Sequence, residues 1–356
     1  MRRTDPLIIG GGPAGSAVAI TLARGAARPL LIERSEAPHA TVCGAFLGWD
    51  ALKGLHALGV DPWSLGARPI DRVRIVAGNR VVERPLPHRA AGLSRRGLDE
   101  ALLEAATAAG TEVRRGVVAR RVDDQGVHLN DGSTLPAQAL FLATGKHALR
   151  GLPREGVSAG ARVGLRVSIA PQPGLAGVIE LHLLQGGYAG LLEQEDGGVN
   201  LCLSIDAARL AQAGGSPDRL AASLAREAPR LADRVDRIEE AWSAVAAVPY
   251  GWRGTTTQPG CFRVGDQAAV IASLAGDGIA IALASGRAAA TAWLEGGDAA
   301  APGYQHAFAA RAARPLRIAE MLRAGAERPA VAAPLLAIMH MPGALGLAAR
   351  LTRIGH

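Results

Sequence analysis

The residue pattern best suited to chemistry is a glycine-rich turn near the start of the chain. It follows Leu7–Ile9, an apolar run typical of a buried strand, and has the spacing Gly-x-Gly-x-x-Gly at Gly10, Gly12 and Gly15. Glycine at these three places permits a tight turn, a close approach of a pyrophosphate to the backbone, and close packing of helix on strand. The start of the helix faces the phosphates with unpaired amides and the positive end of its dipole. These features predict a dinucleotide site.

An acidic residue strengthens this prediction. The second apolar strand predicted after the turn ends in Glu33, about 20 residues past the glycines, where a carboxylate binds a ribose hydroxyl. A simpler alternative for Glu33 is a carboxylate on the surface. Strand, glycines, helix, strand and acid nevertheless occur in the expected order. We also expect Pro13 and Ala14, between the glycines, and Arg34, beside the acid, to contact the dinucleotide.

Composition limits what else the chain can bind. Its 356 residues are 49% apolar and suffice for two domains or one two-lobed unit with a sizeable core. The net charge of +7 would suit nucleic acid, but the arginines are scattered and aromatic residues for base stacking are only 3%, so we expect no nucleic-acid partner. The three cysteines lack metal-type spacing, so we expect neither a disulfide framework nor a metal site.

The two ends of the chain bear on its location. The first residues, Met-Arg-Arg-Thr-Asp-Pro, lead directly into the predicted strand and are not typical of a signal peptide. The longest uncharged run, residues 329–349, contains Pro334, Pro342 and Gly343, which would break a membrane-spanning helix. We therefore expect a cytoplasmic protein with short packed helices near its C-terminus, and keep membrane contact there as a less favoured alternative.

The rest of the chain mixes helical and extended patterns. Extended units are predicted at residues 72–83, 113–135, 139–145, 163–203 and 262–264. Helices are predicted at residues 51–58, 94–109, 216–242 and 279–295. The short strand predicted near residue 262 leads through a glycine-rich turn into an apolar helix, so we expect the nucleotide-binding fold to be left and re-entered.

Three further short motifs follow the glycine turn in order. They are Arg95-Arg96-Gly97-Leu98-Asp99 at a predicted helix start, Ala143-Thr144-Gly145 at a strand end, and Gly265-Asp266 followed by a glycine-rich turn from Gly276. With the first turn they resemble the FAD-dependent oxidoreductases of the aromatic hydroxylase (p-hydroxybenzoate hydroxylase-like) and geranylgeranyl reductase superfamily, over about residues 5 to 300. Each motif alone is weak, and their order and spacing make the set specific.

Shorter features separate the branches of this superfamily. Three segments resemble the reductase-like bacterial branch more than the phenol hydroxylases. They are Cys43-Gly44, residues 187–203 and Pro249-Tyr250-Gly251. The Trp-x-Trp-x-x-Pro motif of flavin halogenases is absent from the sequence, which argues against halogenation. The Tyr-x-Trp-x-Phe-Pro signature of the lipid reductases is replaced by Tyr188-Ala-Gly-Leu-Leu-Glu, which argues against an isoprenoid lipid as substrate.

The resemblance implies FAD as the cofactor and indicates its contacts. Arg95 would contact the diphosphate or adenosine, Asp266 the ribityl chain, and the amides of Gly278 and Ile279 the flavin ring, where they stabilise negative charge. Simpler alternatives are a solvated arginine at a helix start for Arg95 and a helix cap for Asp266. The wider set of implied FAD contacts is Cys43, Gly44, Val118, Ala143, Thr144, Gly145, Gly265 and Gly276.

The catalytic residues stay unknown, since the flavin itself carries the chemistry in this superfamily. The candidates near its reactive end are Cys43, Tyr188, His182 and Trp252. An inert buried thiol is the favoured interpretation of Cys43, and core packing is an alternative for Tyr188 and Trp252. His182 alternates with Glu180 on a predicted strand, and we expect that polar face to meet solvent rather than a pocket.

The resemblance and the strand pattern together predict an α/β fold. A Rossmann-like FAD-binding domain of the glutathione-reductase type is interleaved with a β-sheet substrate domain and followed by a C-terminal helical segment. The expected boundaries are 1–70, 92–150 and 256–300 for the FAD-binding domain, 71–91 and 151–255 for the substrate domain, and 301–356 for the C-terminal helices.

Three functions remain open. The favoured one is an FAD-dependent monooxygenase of secondary metabolism that acts on a small, largely apolar metabolite, aromatic or polyketide-like, through a flavin C4a-hydroperoxide. The alternative is a geranylgeranyl-reductase-type reductase or dehydrogenase of a carbon–carbon double bond, favoured by Cys43-Gly44 and the apolar C-terminal helices. A non-catalytic FAD-binding protein is the third, and the complete set of flavin motifs argues against it.

The source of electrons is a separate question. No second strand–glycine–helix unit is apparent in the sequence, so no separate nicotinamide domain is predicted. We expect NADPH or NADH to dock transiently at the flavin, or a partner flavin reductase to deliver the electrons.

Overall fold

A parallel sheet and a larger mixed sheet organise the chain. The computed structural model describes residues 5–156, 162–235, 238, 240–341 and 343–354. The strands are β1 Leu7–Ile9, β2 Leu30–Glu33, β3 Phe46–Leu47, β4 Arg68–Ala77, β5 Arg80–Gly92, β6 Glu112–Arg115, β7 Ala119–Asp123, β8 Gly126–Leu129, β9 Thr134–Leu135, β10 Leu140–Leu142, β11 Arg162–Ile169, β12 Val178–Leu184, β13 Gly187–Glu193, β14 Val199–Asp206, β15 Ser243–Val245 and β16 Cys261–Arg263. The helices are α1 Pro13–Arg24, α2 Trp49–Ala57, α3 Arg95–Ala108, α4 Ala207–Gln212, α5 Pro217–Glu227, α6 Pro229–Ala232, α7 Gly278–Gly296, α8 Ala301–Ala326, α9 Pro329–Met339 and α10 Ala344–Thr352.

The parallel sheet has the strand order β16-β10-β1-β2-β6. Its central strands are short, apolar and buried on both faces, as parallel strands usually are. Ile8 and Phe141 face a core shared with α1 and α7, whereas Leu7 and Ile9 face the small antiparallel sheet β7-β8-β9. Because all five strands run in one direction, the loops at their carboxyl ends meet at one edge, where ligands bind in such sheets.

The second sheet has the order β15-β11-β14-β13-β12-β4-β5-β3 and is antiparallel except where β12 runs parallel to β4. Most of it is formed by residues between β10 and β16, so the chain leaves the parallel sheet and returns to it. Strand β3 and the start of β4 pair here, although the predicted boundaries assign residues 1–70 to the FAD-binding domain. Those boundaries stay a prediction.

The three last helices connect the two sheets. Helix α8 packs on α7 and β16, α9 on β4, β5 and β12, and α10 on α8 and β5. These contacts place the C-terminal segment over one face of the second sheet, beside the edge where the parallel strands end.

Two predicted elements are wrong in part. Residues 113–115 are predicted in the antiparallel unit, but β6 pairs in parallel with β2, because the alternation of a short strand does not specify its partner. The helix predicted over 216–242 is interrupted at Pro229, which cannot donate a backbone hydrogen bond, and α6 ends at Ala232. Residues 236, 237 and 239 of that prediction lie outside the described residues, as do residues 1–4 and 342 used above.

Candidate active site

Two neighbouring cavities form one continuous cleft along the carboxyl edge of the parallel sheet. We call the first, of about 510 Å³, the nucleotide cavity, because it is lined by the glycine turn and Glu33. The second, of about 410 Å³, is the apolar chamber, which lies between the second sheet and the C-terminal helices. Side chains or backbone of Arg95, Lys146 and Asp266 line both, so these residues mark the junction.

The glycine turn has the geometry that its spacing predicts. Gly10 has a φ of +106°, and a Cβ there would lie 2.5 Å from the Ala143 carbonyl oxygen. A Cβ on Gly15 would lie 1.9 Å from the Gly10 carbonyl oxygen, so the start of α1 packs on the turn at a distance that only glycine allows. Gly12 is the N-cap of α1 and has no side chain to satisfy the first amides of that helix, which leaves them for an anion.

Glu33 ties the glycine turn to β2. Its two carboxylate oxygens accept hydrogen bonds from the backbone amides of Gly11, at 2.7 Å, and Ser35, at 2.9 Å. The carboxylate also lines the nucleotide cavity, where Arg34 and Val118 are further wall residues. A carboxylate oxygen accepts more than one hydrogen bond, so Glu33 can bind a ribose hydroxyl without losing these contacts.

Arg95 reaches the junction from the start of α3. The Ser94 hydroxyl accepts a hydrogen bond from the Gly97 amide and caps the helix. Asp99, one turn later, holds the Arg95 guanidinium through two hydrogen bonds of 2.8 and 2.7 Å. Burial works to lower the pKa of Arg95, but the Asp99 carboxylate raises it above its ordinary value. The fixed positive charge lies 3.2 Å from where a Gly12 Cβ would stand, where it can meet a diphosphate.

Lys146 is a site residue that sequence reasoning missed. Its Nζ lies 3.3 Å from Asp266 Oδ2, and the Asp266 carboxylate raises the pKa of the ammonium group. The available signals were that Lys146 directly follows the Ala143-Thr144-Gly145 motif and that the chain has only one other lysine, Lys53. Asp266 therefore lies at the junction with a cationic partner beside it, and its contact with the ribityl chain stays a prediction.

Gln267 is a second residue that was missed. Its buried side-chain amide donates hydrogen bonds to Thr144 Oγ1 at 2.9 Å and to the carbonyl oxygens of Gly145 and His147, both at 2.8 Å. These bonds join the loop after β10 to the loop after β16. Gln267 thereby holds Lys146 and Asp266 at their separation.

The start of α7 borders the chamber with exposed backbone. Gly276 has a φ of +74°, which turns the chain into the helix, and Gly278 is the first helical residue. Asp277 makes no side-chain cap to this helix, so the first amides, including that of Ile279, have no partner within it. A Cβ on Gly278 or Gly145 would meet nothing within 4 Å. These open backbone positions, together with the anion-binding turn, fit an extended FAD.

Asp277 itself is a buried acid in the chamber wall. The pKa of Asp277 is raised to about 7, mainly because the carboxyl group is buried. The nearby Asp50 carboxylate also raises this pKa, whereas Arg353 and Thr352 lower it. Thr352 Oγ1 lies 3.5 Å from Asp277 Oδ2, and Arg353 Nε lies 3.7 Å from Asp50 Oδ2. The end of α10 is thus joined to the start of α7 and to α2.

The walls of the chamber are mostly aliphatic. Ile75, Ile179, Leu181 and Leu183 contribute from the second sheet, and residues of α8, α9 and α10 form the opposite wall. Walls of this kind favour an apolar ligand, because binding removes its surface from water.

A chain of hydroxyl groups interrupts the apolar wall. The hydroxyls of Tyr188 and Ser273 are hydrogen-bonded, Tyr250 Oη lies 2.6 Å from Ser273 Oγ, and Ser204 Oγ lies 3.1 Å from Tyr250 Oη. Burial raises the pKa of Tyr188 well above its ordinary value, so its hydroxyl stays protonated at neutral pH. Tyr188 is both buried and part of the chamber wall, which unites the two interpretations open from the sequence.

Cys43 also lines the chamber, close to the junction. Its sulfur accepts a hydrogen bond of 3.4 Å from the Ala45 amide, and its carbonyl accepts one of 3.1 Å from the Asn200 side chain. Cys202, on β14, is a second thiol in the wall, and burial raises its pKa to about 12. Cys43 is half-buried, so it is not the fully buried thiol that we favoured.

Trp252 lies apart from both cavities. Its indole nitrogen donates a hydrogen bond of 2.9 Å to the Glu155 carbonyl, and the Arg154 guanidinium lies over its ring. Trp252 lines neither the nucleotide cavity nor the apolar chamber.

The expectation that His182 and Glu180 face solvent is wrong. They lie on the face of β12 opposite the chamber, where both are almost completely buried. His182 Nε2 lies 2.9 Å from Glu180, which also accepts hydrogen bonds from Arg74, at 2.7 Å, and from Arg234, at 3.0 Å. Burial opposes ionisation, but these bonds lower the pKa of Glu180. The pair is a buried ionic network and not part of the cleft.

Two further properties of the described residues bear on the site. Among the described residues, no group of three or more His, Cys, Asp and Glu side chains is placed to hold a metal ion. No single described helix is long and apolar enough to cross a membrane. Helices α9 and α10 together have the length and apolar composition of a span, but the angle between them is 113°.

Comparison with known proteins agrees with this geometry. Residues 3–141 match the family described as FAD binding domain. A Menaquinone reductase of Mycolicibacterium smegmatis is 28% identical over 326 residues, which cover 83% of this chain and 77% of that protein.

Solved structures share the fold over almost the whole chain. A geranylgeranyl bacteriochlorophyll reductase-like protein from Thermoplasma acidophilum has a TM-score of 0.78 at 19% identity, covering 97% of this chain and 95% of that one. PqsL, a probable FAD-dependent monooxygenase from Pseudomonas aeruginosa, has a TM-score of 0.74 at 18% identity, covering 94% and 99%. The chain is thus a flavin-dependent oxidoreductase whose residues 3–141 match the FAD binding domain family and whose fold is shared with these solved flavoproteins.

Proposed function

We propose that this oxidoreductase is a reductase that saturates a carbon–carbon double bond of a long apolar substrate, such as a prenylated quinone. The observation that carries the proposal is the apolar chamber, whose aliphatic walls adjoin the exposed backbone of Gly278. The name of the relative from M. smegmatis, Menaquinone reductase, supports this substrate class. The aliphatic walls support an apolar substrate, and we give them more weight than the missing Tyr-x-Trp-x-Phe-Pro signature.

Each part of the cleft then has a task. Bound FAD would supply two-electron hydride chemistry. The glycine turn, Arg95 and Lys146 hold its anionic diphosphate, and Glu33 holds the ribose. The first amides of α7 stabilise negative charge at the ring. The Tyr188 hydroxyl, fixed by Ser273, keeps a proton beside the substrate, where it can bind a carbonyl or protonate a carbon.

The donor of electrons is part of the proposal. We propose that NADPH or NADH reduces the flavin while docked transiently, with a partner flavin reductase as the alternative. The other partner is the small-molecule substrate, with no nucleic acid, and the proposed location is the cytoplasm.

The test is turnover without oxygen. Purified holoenzyme is incubated anaerobically with NADH or NADPH and with menaquinone or a geranylgeranyl compound. We expect a product with two added hydrogen atoms per turnover, formed at the rate seen in air. A product that forms only in air and contains an added oxygen atom would overturn the reductase proposal.

Monooxygenation of a small aromatic metabolite is the second candidate. The observation that favours it is the hydroxyl chain from Tyr188 to Ser204, which can hydrogen-bond and orient the hydroxyl group of an aromatic ligand. For this function, an aromatic ligand should accelerate flavin reduction by NADH or NADPH, and turnover should require oxygen.

A further inference from the structure

Helices α9 and α10 expose large apolar side chains on the side away from the chamber. Met341, Leu347 and Ile338 are 62%, 55% and 52% exposed, and Val331 is exposed on the same segment. Val331 and Ile338 are seven residues apart and therefore lie on one face of α9. We call these four residues the C-terminal patch. Exposed apolar side chains concentrated in this way mark an interaction site.

The inner faces of the same helices form the chamber wall. Leu335, Leu336 and Met339 of α9 line the chamber, as do Leu345 and Ala348 of α10. A single layer of helix therefore separates the apolar interior from the C-terminal patch.

The C-terminal segment that carries the patch has charges of one sign. The sequence contains no aspartate or glutamate after Glu327, whereas Arg328 and Arg350 are exposed beside the patch. Arg84 of β5 donates hydrogen bonds to the carbonyl oxygens of Met339, at 3.3 Å, and His340, at 3.1 Å, which holds the turn between the helices. Arginines around an apolar surface complement the headgroups of anionic lipids.

The dimensions of the segment favour a position in the membrane surface. Helix α9 has 11 residues and α10 has 9, and the two are bent by 113°. A spanning helix needs about 20 apolar residues, so neither helix is long enough to cross a bilayer alone, and an exposed apolar surface on short helices suits the plane of the interface.

We propose that the C-terminal patch docks on the surface of an anionic lipid bilayer, with Ile338, Met341 and Leu347 inserted among the acyl chains. The docking goes beyond the proposed function and does not depend on it. Delivery of an apolar substrate from the bilayer into the chamber, through α9 and α10, rests on the proposed function.

The experiment is cosedimentation of the full-length holoprotein with lipid vesicles, without substrate or electron donor. Vesicles of phosphatidylglycerol and phosphatidylcholine in equal parts are compared with phosphatidylcholine alone. We expect at least about tenfold stronger binding to the anionic vesicles, weakened when salt is raised from about 0.1 M to about 1 M. Absence of binding to the anionic vesicles would overturn the proposal.

Variants locate the binding surface. We expect Ile338→Ser/Met341→Ser/Leu347→Ser to lose at least about tenfold in vesicle affinity. Trp63→Ser is the matched control, because Trp63 is also a large exposed side chain, 42% accessible, but lies outside the C-terminal helices. Equal binding by the triple variant and the wild type, or an equal loss in the control, contradicts the proposal.

A smaller change guards against a folding defect in the triple variant. Met341→Glu alters one side chain in an exposed turn, so the fold and the bound flavin should be retained while vesicle affinity falls several-fold. Retention of full affinity contradicts the proposal. Light scattering gives a second check. If the wild type had twice the mass of one chain and Met341→Glu had the mass of one chain, the C-terminal patch would be covered by a second copy, which also contradicts the proposal. The vesicle experiments do not measure turnover. Absence of vesicle binding would therefore not contradict the reductase proposal, and absence of anaerobic turnover would not contradict the docking proposal.

Discussion

Lys146 Nζ lies 3.3 Å from Asp266 Oδ2 at the junction of the nucleotide cavity and the apolar chamber. The two residues come from different loops, one after β10 and one after β16. Their pairing keeps a positive charge where the diphosphate of an extended FAD would pass, and keeps an acceptor where the ribityl chain would lie. Gln267 fixes the separation of the two loops.

We expect Asp266→Ala to weaken FAD binding by about 1–3 kcal/mol, or roughly tenfold to a hundredfold in Kd. The substitution removes both the ribityl acceptor and the partner of Lys146. Flavin absorbance after dialysis measures the loss. Asp266→Asn keeps an acceptor oxygen and should retain more flavin, and full occupancy in Asp266→Ala would show that the ribityl contact is misplaced.

Two glycines of α7 should respond in opposite ways to added side chains. Gly278→Val directs its side chain into open space at the chamber, so we expect little change in the thermal midpoint but a loss of at least about tenfold in FAD affinity. Gly286→Ala places a Cβ 2.4 Å from the Ala14 carbonyl oxygen and should destabilise the fold by about 1–3 kcal/mol.

Thermal unfolding and flavin titration of both variants separate these effects. If Gly278→Val bound FAD as well as the wild type, the exposed amides of α7 would not be a flavin site. If Gly286→Ala were as stable as the wild type, the contact between α1 and α7 would be looser than described.

Tyr188→Phe should lower kcat by about tenfold to a hundredfold and change KM little. The hydroxyl that holds a proton at the chamber wall is lost, while Ser273 keeps its bond to Tyr250, so folding should be intact. Steady-state kinetics with the best substrate provides the measurement. Tyr250→Phe is the control and should have a smaller effect, because it acts through Ser273. Unchanged kcat in Tyr188→Phe would leave this tyrosine a packing role only.

Asp277→Asn should change how stability depends on pH. The pKa of Asp277 is about 7 in the folded protein and near 3.9 in an unfolded chain, so the folded state binds the proton more tightly. Ionisation therefore destabilises the wild type as pH rises from about 4 to 7, and the penalty stays constant above that range. Asparagine removes this penalty. The free energy of unfolding of the variant, relative to that of the wild type, should therefore be higher at pH 8 than at pH 4 by up to about 4 kcal/mol.

Thermal midpoints between pH 4 and 8 test this expectation. The difference between variant and wild type should be smallest at pH 4 and grow as the pH rises. A difference that is the same at every pH would mean that Asp277 is not held in an environment that disfavours its charge.

Local determinants explain what the sequence could predict. The glycine turn depends on backbone conformations and close approaches within a few residues, so its spacing identifies it. The N-cap at Ser94 and the acid at the end of β2 are local in the same way. These features are specific enough to indicate the superfamily before any tertiary contact is known.

The rest depends on contacts between distant segments. Lys146 is a site residue only because β16 places Asp266 beside the end of β10. The face of β12 that carries Glu180 is buried because Arg74 and Arg234, far apart in sequence, pair with it. The alternation of β12 predicts two faces correctly, but no local signal states which one is covered.

The wall formed by α9 and α10 is a third example. Their apolar composition predicts packed helices, but only the tertiary structure shows which side chains line a chamber and which remain exposed. The sequence alone favours hydroxylation, whereas the chamber, which only the tertiary structure reveals, supports the proposed reduction.

The pairing of β10 with β16 also governs the chain during its synthesis. The nucleotide-binding half lacks an edge strand and the covering helix α7 until Gly296 has left the ribosome. At usual rates of translation, this leaves the apolar face of α1 uncovered for on the order of ten to thirty seconds after β10 emerges. An unfinished chain with such a face attracts chaperones, and a fragment that stops before β16 should not form a stable sheet. The late strand therefore delays folding of the FAD-binding half until synthesis is nearly complete.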